Sequence, residues 1–364
     1  NWLNAVANAV AWIPGAEAKF ESASGGQVQL GNDASATNLT FTGNGYTLLG
    51  TGRLSVEGAL SAAASTASRI DTELLSAAGL TKTGTGTLTL GAPNVTLTNP
   101  VTVSQGTLVL QDTAIPGAVS IAASAALTAL PAATNGLTGF YYSVTPDGNN
   151  FAALMKMEDH FALLKPDLVA SSSQVGDTFD FGSGGALFPL PYGAGGTRTN
   201  NFEVVWRGTL TVPESAYYTF RLTHDDGFLL ALDGQQVANR LANTVTEATT
   251  YLHAGPHDMV LGLYQASGPS GMKIQLKTLY GTFATLPNAW LKPYTAVGAL
   301  SGSGSATLSA GNVLFNVAER TPTTFSGALT GPAGSSFTKS GWSTLTLASS
   351  GASSNALAGD VAVL

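Results

Sequence analysis

Short stretches in which apolar and polar residues alternate recur at both ends of the chain. In each one, Leu, Val, Phe or Tyr occupies every second position, Thr, Ser or Gln lies between, and Gly, Asn or Ser follows within a few residues. This period of two predicts short β-strands that bury one face and expose the other. Clear examples are residues 28–30, 39–41, 46–48, 54–56, 101–103 and 108–110.

One such stretch occurs twice. Residues 80–90 read LTKTGTGTLTL and residues 337–347 read FTKSGWSTLTL, so the two are identical at most positions. Recurrence of a short strand–turn–strand unit is typical of stacked folds, because a strand this short cannot bury its apolar face alone. We predict an all-β fold in which residues 1–134 and 296–364 form a parallel β-solenoid of roughly ten rungs, at about 20 residues per rung.

The middle of the chain has a different composition. Residues 135–295 contain 22 of the 37 charged residues and all four histidines. Longer strands are predicted there at 202–212, 217–222, 228–232 and 259–264, with turns at 213–216 and 233–234. We therefore predict that residues 135–295 form a separate globular domain, inserted between the two parts of the solenoid.

The solenoid segments resemble a known repeat. Residues 80–90, followed by VTVSQGTLVL at 101–110, are similar to the autotransporter-associated passenger repeat, and residues 12–20 and 38–48 are similar to its usual lead-in. The second copy is degenerate, with Trp342 in place of a small residue. The resemblance implies a right-handed parallel β-helix on an exported bacterial protein that is extracellular or attached to the cell surface.

The inserted segment resembles the PA14 family. Six pieces carry this resemblance in order, namely GLTGFYY at 136–142, VWRGTLTVP at 205–213, YYTF at 217–220, HDDG at 224–227, LDG at 232–234 and YLHAGPH at 251–257. The resemblance implies a twisted antiparallel β-sandwich. Many PA14 domains bind carbohydrate, whereas others are only structural.

The adjacent residues Asp225 and Asp226 are the strongest candidates for a binding site. Two neighbouring carboxylates repel each other unless a cation compensates them, and Ca²⁺ prefers oxygen ligands. The resemblance implies that this pair holds Ca²⁺, whose open positions take sugar hydroxyls. A solvated turn is the alternative, in which the carboxylates cap backbone N–H groups. A second family loop usually adds an Asn, but residues 265–271 contain neither Asn nor Asp, so Gln265 or backbone carbonyls would substitute.

Several other residues are candidate ligand contacts. Tyr192 and Trp290, together with Phe188, lie in Gly- and Pro-rich loops and are predicted to stack on a sugar. Trp206 could also stack, but its alternating strand position favours the core. His253 and His257 have a spacing that binds zinc on a helix, but Gly and Pro lie between them and exclude a helix.

Composition narrows the remaining possibilities. The sequence has no cysteine, so no disulfide framework is expected. A net charge of -7 gives no reason to expect nucleic acid, and no apolar run is long enough to span a membrane. The first residues carry no basic leader segment, so any signal peptide is expected to have been removed. No nucleophile elbow or phosphate-binding loop is found, so we expect a protein that is not an enzyme.

Two functions follow as alternatives. In the first, the protein is a surface adhesin whose solenoid stalk displays a Ca²⁺-dependent glycan site. In the second, it is a structural subunit whose solenoid ends associate head-to-tail into a fibre or coat. The second rests on the strand-forming residues 361–364, which no polar cap follows in the sequence.

Overall fold

The computed structural model describes most of the chain as β-strands, turns and loops, with a 3₁₀ turn at Asn288–Trp290. The described part leaves out residues 1, 4–8, 11, 92–94, 98, 132, 144–167, 172–177, 183–199, 234, 242–243, 269, 294, 310–312, 318–321, 341–343, 349–354 and 364. Within the described ranges, no helix is long and apolar enough to cross a lipid bilayer.

The first part of the solenoid contains seventeen short strands. They are β1 (Trp2–Leu3), β2 (Ala9–Val10), β3 (Ala16–Phe20), β4 (Gly26–Leu30), β5 (Ala34–Phe41), β6 (Tyr46–Gly50), β7 (Leu54–Val56), β8 (Ala59–Ala62), β9 (Ala67–Ile70), β10 (Leu74–Leu75), β11 (Leu80–Thr83), β12 (Thr87–Leu90), β13 (Val95–Thr96), β14 (Val101–Val103), β15 (Gly106–Leu110), β16 (Ala114–Ile121) and β17 (Ala125–Ala129).

The middle segment and the second part of the solenoid follow. The middle segment has β18 (Thr138–Ser143), β19 (Leu168–Ser171), β20 (Phe202–Val212), β21 (Ala216–Asp225), β22 (Gly227–Leu232), β23 (Gln235–Leu241), β24 (Thr244–Leu252), β25 (Gly255–Gln265), β26 (Gly271–Thr278), β27 (Ala284–Thr285) and β28 (Leu291–Pro293). The second part has β29 (Thr295–Gly302), β30 (Ser305–Leu308), β31 (Val313–Val317), β32 (Thr323–Phe325), β33 (Ala328–Gly331), β34 (Ser336–Ser340), β35 (Leu345–Leu347), β36 (Ala356–Leu357) and β37 (Asp360–Val363).

The solenoid strands stack in parallel into three columns, which confirms the predicted β-solenoid. Column A contains the first half of β5, then β7, β10, β13, the first parts of β16 and β29, and β31, β34 and β37. Column B contains the second half of β5, then β8, β11, β14, the second parts of β16 and β29, and β32 and β35. Column C contains β4, β6, β9, β12, β15, β17, β30, β33 and β36. Each turn of the chain therefore adds one strand to each column.

Identical register from rung to rung fills the axis of the solenoid with apolar side chains. In column C, inward residues lie directly over the inward residues of the neighbouring strands, and they are buried in the inner rungs, whereas Leu30 and Leu357 in the end strands β4 and β36 are partly buried. This arrangement explains why the alternating pattern repeats, since one register error would turn every apolar side chain outward. The stack runs through Leu48, Ile70, Leu90, Leu110, Ala129 and Leu308.

The two copies of the repeated motif occupy different columns. In the first copy, β11 lies in column B, whereas the equivalent strand of the second copy, β34, lies in column A. Both place a buried lysine at the third position, Lys82 and Lys339. Lys82 replaces an apolar residue between Leu60 and Val103, and its Nζ donates to the carbonyls of Thr83, Gly84 and Gln105 at 2.7–3.0 Å.

Those three carbonyls explain why a cation is tolerated in the axis. Burial lowers the pKa of Lys82 to about 8, because the charged form loses its hydration. Each hydrogen bond to a carbonyl of the corner turn compensates part of that loss. The motif therefore specifies a strand followed by a corner, whichever column the strand joins.

The solenoid continues across the inserted segment. β16 pairs in parallel with β29, from Ala114 opposite Ala296 to Ile121 opposite Gly302, with one irregularity in register. At the exit from the first part, the Asp112 carboxylate accepts hydrogen bonds from the backbone N–H groups of Ala133 and Thr134. The rungs on either side of the insertion are therefore neighbours in space.

The inserted segment is an antiparallel β-sandwich. Sheet I has the order β19-β18-β20-β25-β22-β23, with β28 also pairing with β20, and sheet II has the order β24-β21-β26-β27. Aromatic and aliphatic side chains of both sheets form one core, in which Trp206 is fully buried and packs edge-on against Tyr141 and Phe179. The predicted position of Trp206 in the core is confirmed.

Candidate functional site

Asp225 and Asp226 lie where the chain crosses from one sheet of the sandwich to the other. β21 belongs to sheet II and ends at Asp225, and β22 belongs to sheet I and begins at Gly227. The peptide bond between the two aspartates is cis. Both carboxylates are therefore placed at the edge of the sandwich by the ends of two long strands.

A second crossover runs beside the first. β25 ends at Gln265 in sheet I, and β26 begins at Gly271 in sheet II. Asp225 is paired with Gly271, and Gly227 is paired with Tyr264. The loop of residues 266–270, which we call the crossover loop, therefore lies against the aspartate pair.

Hydrogen bonds fix Asp226 to the strand end that precedes this loop. The backbone N–H of Asp226 donates to the carbonyl of Tyr264 at 3.2 Å. The backbone N–H of Ala266 donates to Asp226 Oδ2 at 2.8 Å. Gln265 lies between these two contacts, so the structure brings Gln265 and the aspartate pair together as the sequence predicted.

The Asp225 carboxyl is buried at this edge. Burial raises its pKa, and so do the negative charge of Asp226 and a hydrogen bond between the two side chains. A carboxylate in such a position is stabilised either by a shared proton or by a nearby cation. Burial of Asp225 differs from a solvated turn, whereas Asp226 caps the N–H of Ala266 as the alternative turn would.

The His224 side chain is hydrogen-bonded to the crossover between the two sheets. Its ring is buried, with Nδ1 at 3.0 Å from the carbonyl oxygen of Asp226 and Nε2 at 3.2 Å from Thr246 Oγ1. Because a carbonyl only accepts, Nδ1 carries the proton and donates. Burial lowers the pKa of His224, which keeps the ring neutral in this arrangement.

The crossover loop is fixed by two residues that precede β20. The backbone N–H of Asn201 donates to the carbonyl of Ala266 at 3.0 Å, and the N–H of Gly268 donates to Asn200 Oδ1 at 3.1 Å. Gln265 Nε2 adds a bond to the carbonyl of Gly268 at 3.2 Å. The sequence analysis missed Asn200 and Asn201, because their partners are more than 60 residues away in the sequence.

Ser270 contributes a further oxygen at this edge. Its side chain is only 1% exposed, and its hydroxyl has no hydrogen-bond partner within the described part of the chain. Ser270 immediately precedes Gly271, which is paired with Asp225. A buried hydroxyl without a partner is costly, so its position at this strand end calls for an explanation.

The donor set at this edge consists of oxygen atoms. The two carboxylates, with the Ser270 hydroxyl near the same strand end, are oxygen donors of the kind that Ca²⁺ prefers. No group of three or more His, Cys, Asp or Glu side chains occurs among the described residues. The residues therefore suit a hard cation held by two charges and neutral oxygens, and they do not suit zinc.

The family of the inserted segment is settled by comparison. The model of the PA14 domain family matches residues 135–277. This segment is a PA14 domain. The comparison with curated proteins found no match.

Several solved structures are similar to part of the chain. A PA14 sugar-binding domain from an RTX adhesin is 22% identical, with 44% of this chain and 99% of that chain covered and a TM-score of 0.36. The epithelial adhesin 6 A domain from Candida glabrata, solved with Galβ1-3GlcNAc, is 14% identical, with coverages of 44% and 88% and a TM-score of 0.35.

An anti-sigma factor domain-containing protein from Clostridium clariflavum is 22% identical, with a TM-score of 0.33. The match covers 44% of this chain and 47% of that protein, so the similarity spans less than half of its length.

The remaining predicted ligand contacts of the PA14 domain have different outcomes. Tyr192 and Phe188 lie outside the described residues. The structure does not bring Trp290 to the aspartate pair, because Trp290 packs partly buried against the sandwich core beside β28, and its stacking on a sugar stays a prediction. β28 pairs with β20 at Leu210, whereas Gln265 pairs with Phe202 at the other end of that strand, about 26 Å away.

His253 and His257 make contacts within the PA14 domain. His257 Nδ1 contacts Asp233 Oδ2 and its Nε2 contacts the His253 carbonyl, both at 2.7 Å. The hydrogen bond to Asp233 is the main factor that raises the pKa of His257. Because both ring nitrogens are used, the His253–His257 spacing does not form a metal site.

Proposed function

We propose that the protein is an extracellular or cell-surface adhesin whose solenoid is a stalk and whose PA14 domain binds carbohydrate through Ca²⁺. The aspartate pair at the sheet crossover is the observation that carries this proposal. A buried carboxylate beside a second carboxylate, surrounded by neutral oxygens, favours a divalent cation over an empty site.

In this function, Asp225 and Asp226 hold the ion, and Gln265, Ser270 and the crossover-loop carbonyls complete its shell. The bound ion supplies a positive centre with open positions that sugar hydroxyls can occupy. The protein's own part is to keep the pair at a fixed distance from the crossover loop, through the bonds of Asp226 to Tyr264 and Ala266. The proposed partner is therefore a glycan, and no catalytic role is assigned.

The proposed stalk function is supported by the way the PA14 domain is attached. The N–H of Gly136 lies 3.2 Å from the Asn288 carbonyl and 3.0 Å from the Leu291 carbonyl, and Lys292 Nζ donates to Asn135 Oδ1 at 2.5 Å. The entry and exit of the domain are therefore bonded to each other.

Binding to a glycan array, with Ca²⁺ and then with EDTA, tests this function. We expect at least one class of glycan to bind the calcium-loaded protein and to be released by EDTA. The Asp226→Asn variant should fail to bind that glycan even in the presence of Ca²⁺. Absence of glycan binding by the calcium-loaded protein would contradict the proposal.

Head-to-tail association into a fibre or coat remains the alternative function. In this alternative, the strand β37 is the contact with a second copy of the chain. Sedimentation of the protein and of a variant with Lys at positions 361 and 363 tests this alternative. Equal sedimentation of the two at high concentration would rule out association through this strand.

A further inference from the structure

The outer face of sheet II carries a pair of exposed tyrosines far from the aspartate pair. Tyr217 on β21 lies directly opposite Tyr251 on β24, and their ring centroids are 5.2 Å apart in an edge-to-face arrangement. They are 55% and 46% exposed. Strand alternation sends their neighbours Tyr218 and Leu252 into the core, so both tyrosines occupy positions where polar residues are normal.

Two more apolar residues extend this surface. Tyr218 pairs with Thr278 at the end of β26, and the following Leu279 and Tyr280 are 58% and 96% exposed. We call Tyr217, Tyr251, Leu279 and Tyr280 the tyrosine patch. Single exposed apolar residues are ordinary, but a group at one end of one sheet marks a binding surface.

The size of the tyrosine patch favours a small or narrow ligand over a protein. If a fully exposed tyrosine presents about 200 Å², the exposed parts of the three rings amount to about 400 Å². A standard protein interface takes about 800 Å² from each partner. A single polysaccharide chain needs only a narrow apolar surface, because each sugar ring stacks through one flat C–H face at a time.

The surroundings of the tyrosine patch suit the hydroxyl edge of a sugar. The exposed Glu214 lies in the turn just before β21, and the exposed His253 ring lies 5.1 Å from Tyr251. The Thr219 and Thr249 hydroxyls are 2.9 Å apart on the same face, one row further along the sheet. Aromatic faces are thus bordered by hydrogen-bonding groups, with the tyrosines held rigidly on paired strands.

We propose that the tyrosine patch is a second carbohydrate site, which stacks on a neutral β-1,4-linked glycan without a cation. Such a chain has equatorial hydroxyls, so both faces of each ring are apolar. The tyrosine patch is separate from the first site, because Tyr217 and Asp225 are eight residues apart on β21, or about 26 Å. Two sites on one rigid domain would strengthen attachment to a polymer by raising the effective concentration of the second contact.

Calorimetric titration with cellohexaose in EDTA tests this proposal. We expect the full chain to bind, and the double variant Tyr217→Ala/Tyr251→Ala to bind about tenfold more weakly or worse, as for truncated aromatic anchors. Val245→Ala, which removes another exposed side chain from the same face of β24, should bind normally, as should Asp226→Ala. Circular dichroism should show that all variants are folded.

Three results would overturn the proposal. The first is no binding of cellohexaose by the full chain in EDTA. The second is binding that survives loss of both tyrosines, or that disappears in Asp226→Ala and so belongs to the first site. The third is a dimer in sedimentation equilibrium that the tyrosine variant abolishes, which would make the surface a protein interface.

Discussion

The backbone N–H of Ala266 donates a 2.8 Å hydrogen bond to the carboxylate of Asp226, so the two sheet crossovers of the PA14 domain are joined at their closest point. One carboxylate oxygen of Asp226 is thereby bonded to the backbone, and the Asp225 side chain is hydrogen-bonded to that of Asp226. Changes to either aspartate should therefore separate effects on the fold from effects on cation binding.

Asp226→Asn should abolish stabilisation by Ca²⁺ while leaving the cation-free protein folded. The amide oxygen can still accept from Ala266, but one of the two charges is lost. Calcium at 100 times its dissociation constant should raise the unfolding free energy of the wild type by about 2.7 kcal/mol, and that of the variant by much less. Thermal melts with and without Ca²⁺ measure this, with the exposed Glu247→Gln as control. An unchanged melting temperature of the wild type on addition of Ca²⁺ would contradict the proposed calcium site.

Asp225 should make the cation-free protein less stable as pH rises. Its pKa in the folded protein is raised from the usual 3.8, so the folded state holds this proton more tightly than the unfolded state. The stabilising contribution of Asp225 to the free energy of unfolding is therefore present below pH 3.8 and is lost as pH rises through the raised pKa.

Urea unfolding of the wild type and of Asp225→Asn across this pH range, in EDTA, measures the effect. The variant should lose this component of the pH dependence, and Ca²⁺ should remove it from the wild type by replacing the proton. Identical pH profiles for the two proteins in EDTA would contradict the assignment.

Ser270→Ala should act in opposite directions with and without calcium. Without the ion, loss of a buried hydroxyl that has no partner should stabilise the protein, by about 1 kcal/mol. With the ion, loss of an oxygen ligand should weaken Ca²⁺ binding. Chemical unfolding in EDTA and calorimetric titration with Ca²⁺ measure the two effects. Ser267→Ala, an exposed position of the same loop, should change neither. Equal Ca²⁺ affinity in Ser270→Ala and wild type would exclude Ser270 as a ligand.

Deletion of residues 135–295 should leave a folded solenoid. β16 and β29 already pair in parallel, and the backbone N–H of Ala296 donates to the Thr113 carbonyl, so the rungs meet without the PA14 domain. Far-UV circular dichroism of the shortened chain should show a β-sheet spectrum with a cooperative thermal transition. A disordered spectrum would mean that the two parts of the solenoid depend on the domain between them.

The sequence predicted the fold well because both of its domains follow local rules. Alternation at residues 46–48 or 108–110 directly encodes an inward and an outward face. It did not reveal that the repeated motif joins column B at Lys82 and column A at Lys339, because a strand and its corner look the same in either column. The column depends on how many residues lie in the preceding turns.

The candidate site was predicted only where its residues are close together in the sequence. The aspartates form a contiguous pair, and Gln265 was found by its order after them. Asn200 contacts the crossover loop only in the folded structure, so nothing near it in the sequence indicates its role. The Pro-rich neighbourhood of Trp290 suggested a free loop, whereas a 3₁₀ turn packs the ring against the core, away from the aspartate pair.

The β16–β29 ladder also decides how the protein responds to mechanical force. The covalent chain passes through the whole PA14 domain, but the rungs on either side are hydrogen-bonded directly to each other. Tension along the solenoid would be borne first by this ladder and by the β17–β30 ladder, so the PA14 domain would be stretched only after both separate. In the proposed stalk, the aspartate crossover would therefore keep its geometry under shear.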